Sequence, residues 1–148
     1  MIVTAYHGTV QRFTAFAPSQ SGLHFGSLGQ ASHRCSMLMA RLSPREFEKL
    51  PLMTGGQPGY ILRAQLEVGR FARVDDLRTN AAWTRAITKA RTLGFDALCY
   101  RNDFEMPPEE ADSWIVFEPA QVLQIDFPFN RLEDIALSAQ RSPSSHVI

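Results

Sequence analysis

The chain has 148 residues, enough for one domain with its own buried core. Hydrophobic residues make up 45% and charged residues 20%, a balance that excludes an intrinsically disordered chain. With 15 Lys and Arg against 15 Asp and Glu, the chain lacks the basic footprint of a general nucleic-acid binder and has no overall pull towards anionic membranes. The N-terminal Met1-Ile2-Val3-Thr4-Ala5-Tyr6 has no basic leader and reads as a strand, not a signal peptide. No window is long and apolar enough for a membrane-spanning helix. Cys35 and Cys99 form no CxxC pair, and no His/Cys cluster has metal-ligand spacing. They are expected to be reduced core thiols of a cytoplasmic protein, with no metal bound.

In chain order, residues 2–6 are β-branched, apolar and aromatic, and Gly8 stops them, which predicts a buried first strand. Residues 9–23 predict a loop anchored by Phe13 and Phe16, and residues 23–25 a short strand ended by Gly26. Leu28, Ala31, Cys35, Leu38, Met39 and Leu42 step by three or four, predicting a helix over 28–42 with Ser27 as its N-cap. Ser43, Pro44 and Glu46 give a capping-box start to a short helix over 43–50, and the Pro- and Gly-rich residues 51–59 predict a loop. Residues 60–68 alternate, with Leu62, Ala64, Leu66 and Val68 on one face of a half-buried strand. Trp83, Ala86, Ile87 and Ala90 stripe a helix over 81–93 that Gly94 ends. Strands are predicted at 95–100, 114–117 and 122–127, with an acidic loop over 101–112 and a tail over 129–148. The sum is an α+β domain of five or six strands and two or three helices, covering residues 1–128.

Three segments carry polar groups in positions suited to chemistry. His7 follows the first strand and precedes Gly8-Thr9, where a ligand could approach the backbone closely. Gly22-Leu23-His24-Phe25-Gly26-Ser27 sets aromatic and imidazole faces between glycines, which could stack a flat ring. Tyr100-Arg101-Asn102-Asp103-Phe104-Glu105 leads, through further acidic residues, to Asp112-Ser113-Trp114-Ile115-Val116-Phe117. Each also has a plain structural reading: a strand-end histidine, a turn over a core phenylalanine, and a solvated acidic loop.

Taken together and in this order, these segments resemble the ADP-ribosyltransferase fold. The likeness is to its His-type branch, which includes diphtheria toxin and the poly(ADP-ribose) polymerases, and most nearly to compact versions in phage and mobile-element proteins. Tyr6-His7-Gly8-Thr9 with Phe13 and Phe16, the Gly22–Ser27 segment with Ala31 after it, Gly94-Phe95-Asp96-Ala97 running into Tyr100–Glu105, and Ser113 to Val122 carry it. The resemblance implies a split β-sheet and an NAD cleft between the His7 strand and the Ser113–Phe117 strand.

It also implies roles. His7 would bind the adenosine ribose, and the Gly8 backbone the nicotinamide amide, with Tyr6, Thr9 and Phe13 beside them. His24 or Phe25 would stack on nicotinamide, flanked by Gly26 and Ser27, with Asn102 also in the site. Family members carry a second clamp aromatic on the following helix; His33 or Arg34 stands in that region here. Polymerases of this fold carry the catalytic Glu where this chain has Ser113. The Tyr-x-Asn-x-x-Glu pattern of the compact relatives falls on Tyr100, Asn102 and Glu105, so Glu105 is the first candidate carboxylate, Asp103 the second and Asp112 the third. The implied activity is mono-ADP-ribosyl transfer from NAD to a macromolecular acceptor, protein ahead of nucleic acid, by a toxin, effector or phage-encoded host modifier. It would act in the cytoplasm of the producer or of a target cell. An inactive NAD- or ADP-ribose-binding module and an NAD glycohydrolase are the alternatives.

Overall fold

The structure is a computed structural model that describes residues 1–10, 13, 15–49, 52–53, 57–58, 60–102 and 112–127. In chain order its elements are β1 (Ile2–Thr9), β2 (Leu23–Phe25), α1 (Leu28–Ala40), α2 (Pro44–Lys49), β3 (Leu52–Met53), β4 (Gln57–Pro58), β5 (Tyr60–Glu67), β6 (Phe71–Arg73), α3 (Asn80–Thr92), β7 (Ala97–Arg101), β8 (Asp112–Val116), a 3₁₀ turn (Pro119–Gln121) and β9 (Val122–Asp126). The class is α+β, with two main sheets and three helices among the described residues.

One sheet has the order β1-β5-β9 and the other β2-β8-β7-β6, while β3 and β4 form a separate small hairpin. All pairings are antiparallel except β6 with β7. The two main sheets meet where Tyr6 and Gly26 exchange backbone hydrogen bonds of 2.9 and 2.8 Å. Alternation along the strands lets each sheet face two ways. Val3, Ala5, Leu62, Ala64 and Leu66 of one sheet pack against Leu23, Phe25, Ala97, Cys99, Trp114 and Val116 of the other. The opposite face of the second sheet, Leu98, Tyr100 and Ile115, takes Trp83, Ile87 and Ala90 of α3. Leu28, Ala31 and Cys35 of α1 cover Ile61 and Tyr6 on the outer side of the first sheet. The layers therefore run α1, sheet, sheet, α3.

The local signals act as their chemistry dictates. Ser27 caps α1 in a capping box with Gln30: Ser27 Oγ accepts from Gln30 N at 3.1 Å, and Gln30 Oε1 accepts from Ser27 N at 3.0 Å. Ser43 and Glu46 make the same reciprocal pair at α2. Thr79 caps α3, and Gly94 ends it at φ +84°, a left-handed backbone that favours glycine. Cys35 and Cys99 are buried free thiols. Gln121 uses its whole amide: Oε1 accepts from Phe117 N and Glu118 N at 2.9 Å each, and Nε2 donates to Glu67 O at 3.2 Å and Asp96 O at 2.9 Å.

Several features differ from the sequence expectation: β1 runs through Gly8 to Thr9, and β8 begins at Asp112, because in both cases the partner strand continues the ladder. β6 was not foreseen, because three residues are too few to show a period; its parallel pairing with β7 supplies its hydrogen bonds. Residues 52–58, expected as loop, contain the two-residue strands β3 and β4. The strand expected from residue 95 begins at Ala97, since Phe95 and Asp96 close the turn after α3 through Phe95 N–Ala90 O and Asp96 N–Arg70 O hydrogen bonds. The expected tail over 129–148 lies outside the described residues. No helix among the described residues is long and apolar enough to cross a membrane.

Candidate functional site

A cleft of about 600 Å³ opens where β1, β2 and the start of β8 converge. Such a volume suits a small-molecule ligand, for which clefts of roughly 300–1,000 Å³ are usual. Of the residues singled out from the sequence, Tyr6, His7, Gly8, Phe13, His24, Phe25, Gly26, Asn102 and Ser113 line it. Segments nearly the whole chain apart are thus gathered around one space.

Its walls hold two aromatic groups. His7 lies 5.2 Å from Phe16 and 5.7 Å from Phe25, and Phe13 and Phe16 meet edge-on at 4.8 Å. On the other side of β2, His24 lies 5.4 Å from Trp83, which in turn lies 4.8 Å from Tyr100. The groups are linked by one hydrogen bond, His7 Nδ1 to His24 O at 2.8 Å. A carbonyl can only accept, so the proton sits on His7 Nδ1 and Nε2 is left as an acceptor. His24 Nε2 likewise donates to Ser21 O at 2.7 Å. Burial lowers the proton affinity of both imidazoles; the hydrogen bonds to carbonyls raise it, and the Arg34 charge lowers it again in each. Both rings are neutral at pH 7.

Gly8 has a reason separate from ligand approach. A Cβ there would stand 2.1 Å from Ala31 O and 2.9 Å from Cys35 N, so only glycine lets α1 lie against β1. At Gly26 a Cβ would stand 2.6 Å from Gln30 Oε1. That oxygen also accepts from Ser113 Oγ at 3.1 Å, tying the first turn of α1 to β8 across the floor of the cleft. Gln30 is fully buried, and its Nε2 has no hydrogen-bond partner among the described residues.

Three of the candidates stand away from the cleft. Asp112 is one residue before Ser113, and alternation along β8 turns it to the opposite face of the sheet. There both its oxygens accept from Arg73, at 2.7 Å each. The Arg73 hydrogen bonds hold the Asp112 carboxyl below its usual range, while burial and this carboxylate push the Cys99 thiol up to about 12. Asp112 is an ion-pair partner, not a cleft carboxylate. Ser27 is consumed by the cap of α1, and Thr9 is buried with its carbonyl accepting from Cys35 Sγ at 3.5 Å. Asp103 and Glu105 lie outside the described residues.

Sequence reasoning did not place Asp76, Arg78, Asn80 or Trp83 in the site, yet all four line the cleft. Trp83 reads in the sequence only as part of a core stripe, and it serves both purposes. Arg78 carries one visible sign in the structure, a left-handed φ of +64° rarely adopted by a side-chain-bearing residue. Its backbone N–H donates to Asp76 Oδ1 at 3.1 Å. No protein-family model, no curated protein and no solved structure matches the chain.

Proposed function

We propose that this chain is an ADP-ribosyltransferase-like domain that binds NAD in the cleft and transfers ADP-ribose to a macromolecular acceptor, protein ahead of nucleic acid. The observation that carries the reading is the gathering of Tyr6-His7-Gly8, His24-Phe25-Gly26, Asn102 and Ser113 around one space, beside the point where the two sheets exchange backbone hydrogen bonds at Tyr6 and Gly26. The neutral His7, with Nε2 as acceptor, suits a ribose hydroxyl. The aromatic groups on either side of β2 suit a nicotinamide or adenine ring.

In the reaction, the bond between the ribose anomeric carbon and the nicotinamide nitrogen breaks, and its electron pair leaves with neutral nicotinamide. Positive charge develops on the ribose, and the acceptor's nucleophile forms the new bond while losing a proton. A carboxylate beside the anomeric carbon stabilises that charge and takes the proton. Glu105, from the segment between β7 and β8, is the residue assigned to it.

A second reading, an NAD-binding module without turnover, is favoured by one observation. Among the described residues the cleft's one carboxylate is Asp76, already engaged by the Arg78 backbone, and Ser113 donates to Gln30. The test is incubation of the protein with labelled NAD and a bacterial lysate, beside Glu105→Gln and Asp112→Asn. Label on a discrete acceptor, lost at least a hundredfold in Glu105→Gln and kept in Asp112→Asn, is the expected result. Nicotinamide release without transfer marks a glycohydrolase. Binding of NAD with neither signal marks the inactive module, and no NAD binding at all sinks the reading.

A further inference from the structure

Among the described residues, the charged side chains lining the cleft are Arg34, Asp76 and Arg78. Arg34 stands on α1 one turn beyond Ala31, whose carbonyl packs against Gly8, so the fold of that helix directs it to the β1 side of the cleft. It is half-buried and makes no hydrogen bond or ion pair among the described residues. The other arginines that brace the fold are all engaged: Arg63 with Asp126, Arg73 with Asp112 and Arg91 with Glu118. Arg78 is exposed at the rim, held in its left-handed conformation, and its guanidinium likewise has no partner among the described residues.

A half-buried guanidinium gives up water and regains that loss only when an anion meets it. Its planar fork matches the oxygens of a phosphate better than a point charge does. Aromatic walls alone would take any flat apolar ligand; a cleft that also holds an unpaired guanidinium selects one carrying negative charge. We propose that Arg34 is the anion anchor of the cleft and holds the diphosphate of a dinucleotide, with Arg78 as a second cation at the rim. This rests on the NAD reading above for the identity of the ligand, but not for the existence of the anion site. The same placement accounts for the departure noted in the sequence, where a guanidinium stands in the region of the second clamp aromatic: the helix holds the middle of the ligand instead of its ring. The Arg34 charge lowers the proton affinity of both His7 and His24, which line the same cleft.

The experiment compares wild type, Arg34→Gln and Arg34→Lys, all as the full chain, by calorimetric titration with NAD, ADP-ribose and phosphate-free adenosine. A second arm follows the His7 ring resonances by NMR on addition of millimolar inorganic pyrophosphate. One lost charge-assisted contact corresponds to roughly tenfold to a hundredfold in affinity. The expected result is a loss of that size for NAD and ADP-ribose in Arg34→Gln, partial recovery in Arg34→Lys, and unchanged adenosine affinity. Pyrophosphate should move the His7 resonances in wild type and not in Arg34→Gln. Equal affinities for NAD in wild type and Arg34→Gln overturn the proposal, as does an equal loss for adenosine. Should NAD and ADP-ribose fail to bind wild type while pyrophosphate responds in an Arg34-dependent way, the anion site stands and the NAD reading falls. Silence of every phosphate-bearing probe in wild type overturns both.

Discussion

His7 shows how far a single residue can be read in advance. Its place at a strand end before Gly8 marks it in the sequence, but its state depends on His24 O, a partner 17 residues away. Because burial lowers the proton affinity of His7 and His24 below the ordinary 6.5, the sign of their effect on stability is fixed. Well above pH 6.5 both folded and unfolded imidazoles are neutral and contribute no pH dependence. As pH falls through 6.5 the unfolded chain takes up protons first, so stability falls, by at most about 1.4 kcal/mol per pH unit for each ring. Urea unfolding at steps from pH 7.5 to 5 should show this slope. His7→Asn, which keeps an N–H near the Nδ1 position, should remove about half of it; an unchanged slope would place the effect elsewhere. Asp112 teaches the reverse lesson. Next to Ser113 in sequence it is a plausible carboxylate, and only the alternation of β8 and the unforeseen strand carrying Arg73 show that it serves the other face.

At the scale of elements, what the sequence made legible is what local chemistry controls. The caps Ser27 and Ser43, the stop at Gly94 and the alternation of β5 are each decided within a few residues, and each is observed. What it left hidden depends on partners distant in the chain: β6 exists through β7, and Gln30 reaches Ser113 across 83 positions. The docking of α1 on β1 is a further case, since Gly8 looks like a ligand-facing glycine until the helix is seen against it. Gly8→Ala would place a methyl 2.1 Å from a backbone carbonyl, and a helix cannot move aside as a side chain can. The expected cost is about 3 kcal/mol, the upper end for overpacking. Denaturant unfolding should show it as a lower midpoint even without ligand. A variant as stable as wild type would mean that α1 shifts freely, and Gly8 would then return to a purely ligand-facing role.

On the scale of the whole molecule, the cleft and the cores share material. Trp83 is 4% exposed and packs with Ile87, Leu98 and Ile115, yet it also forms cleft wall beside His24. Trp83→Ala should therefore cost about 3–5 kcal/mol and weaken ligand binding together, whereas Trp83→Phe should keep most of the fold and separate the two effects; the pair is read by unfolding midpoint and by titration. The layered α+β arrangement was legible because it is the sum of local patterns. The composition of the cleft was legible only where motifs marked it, at His7, His24 and Ser113, and not at Asp76, Arg78 or Asn80, which the segment leading into α3 and that helix's first residue deliver. The Gln121 amide lies at the other extreme of the same two sheets. It grips Phe117 and Glu118 after β8, Glu67 at the end of β5 and Asp96 before β7, while the cleft meets β8 at Ser113, about 13 Å away at the rise of a strand. One amide therefore joins the ends of β5, β7 and β8 away from the cleft, so Gln121→Ala would strip a partner from four backbone groups at once and lower the unfolding midpoint without touching a residue of the cleft wall.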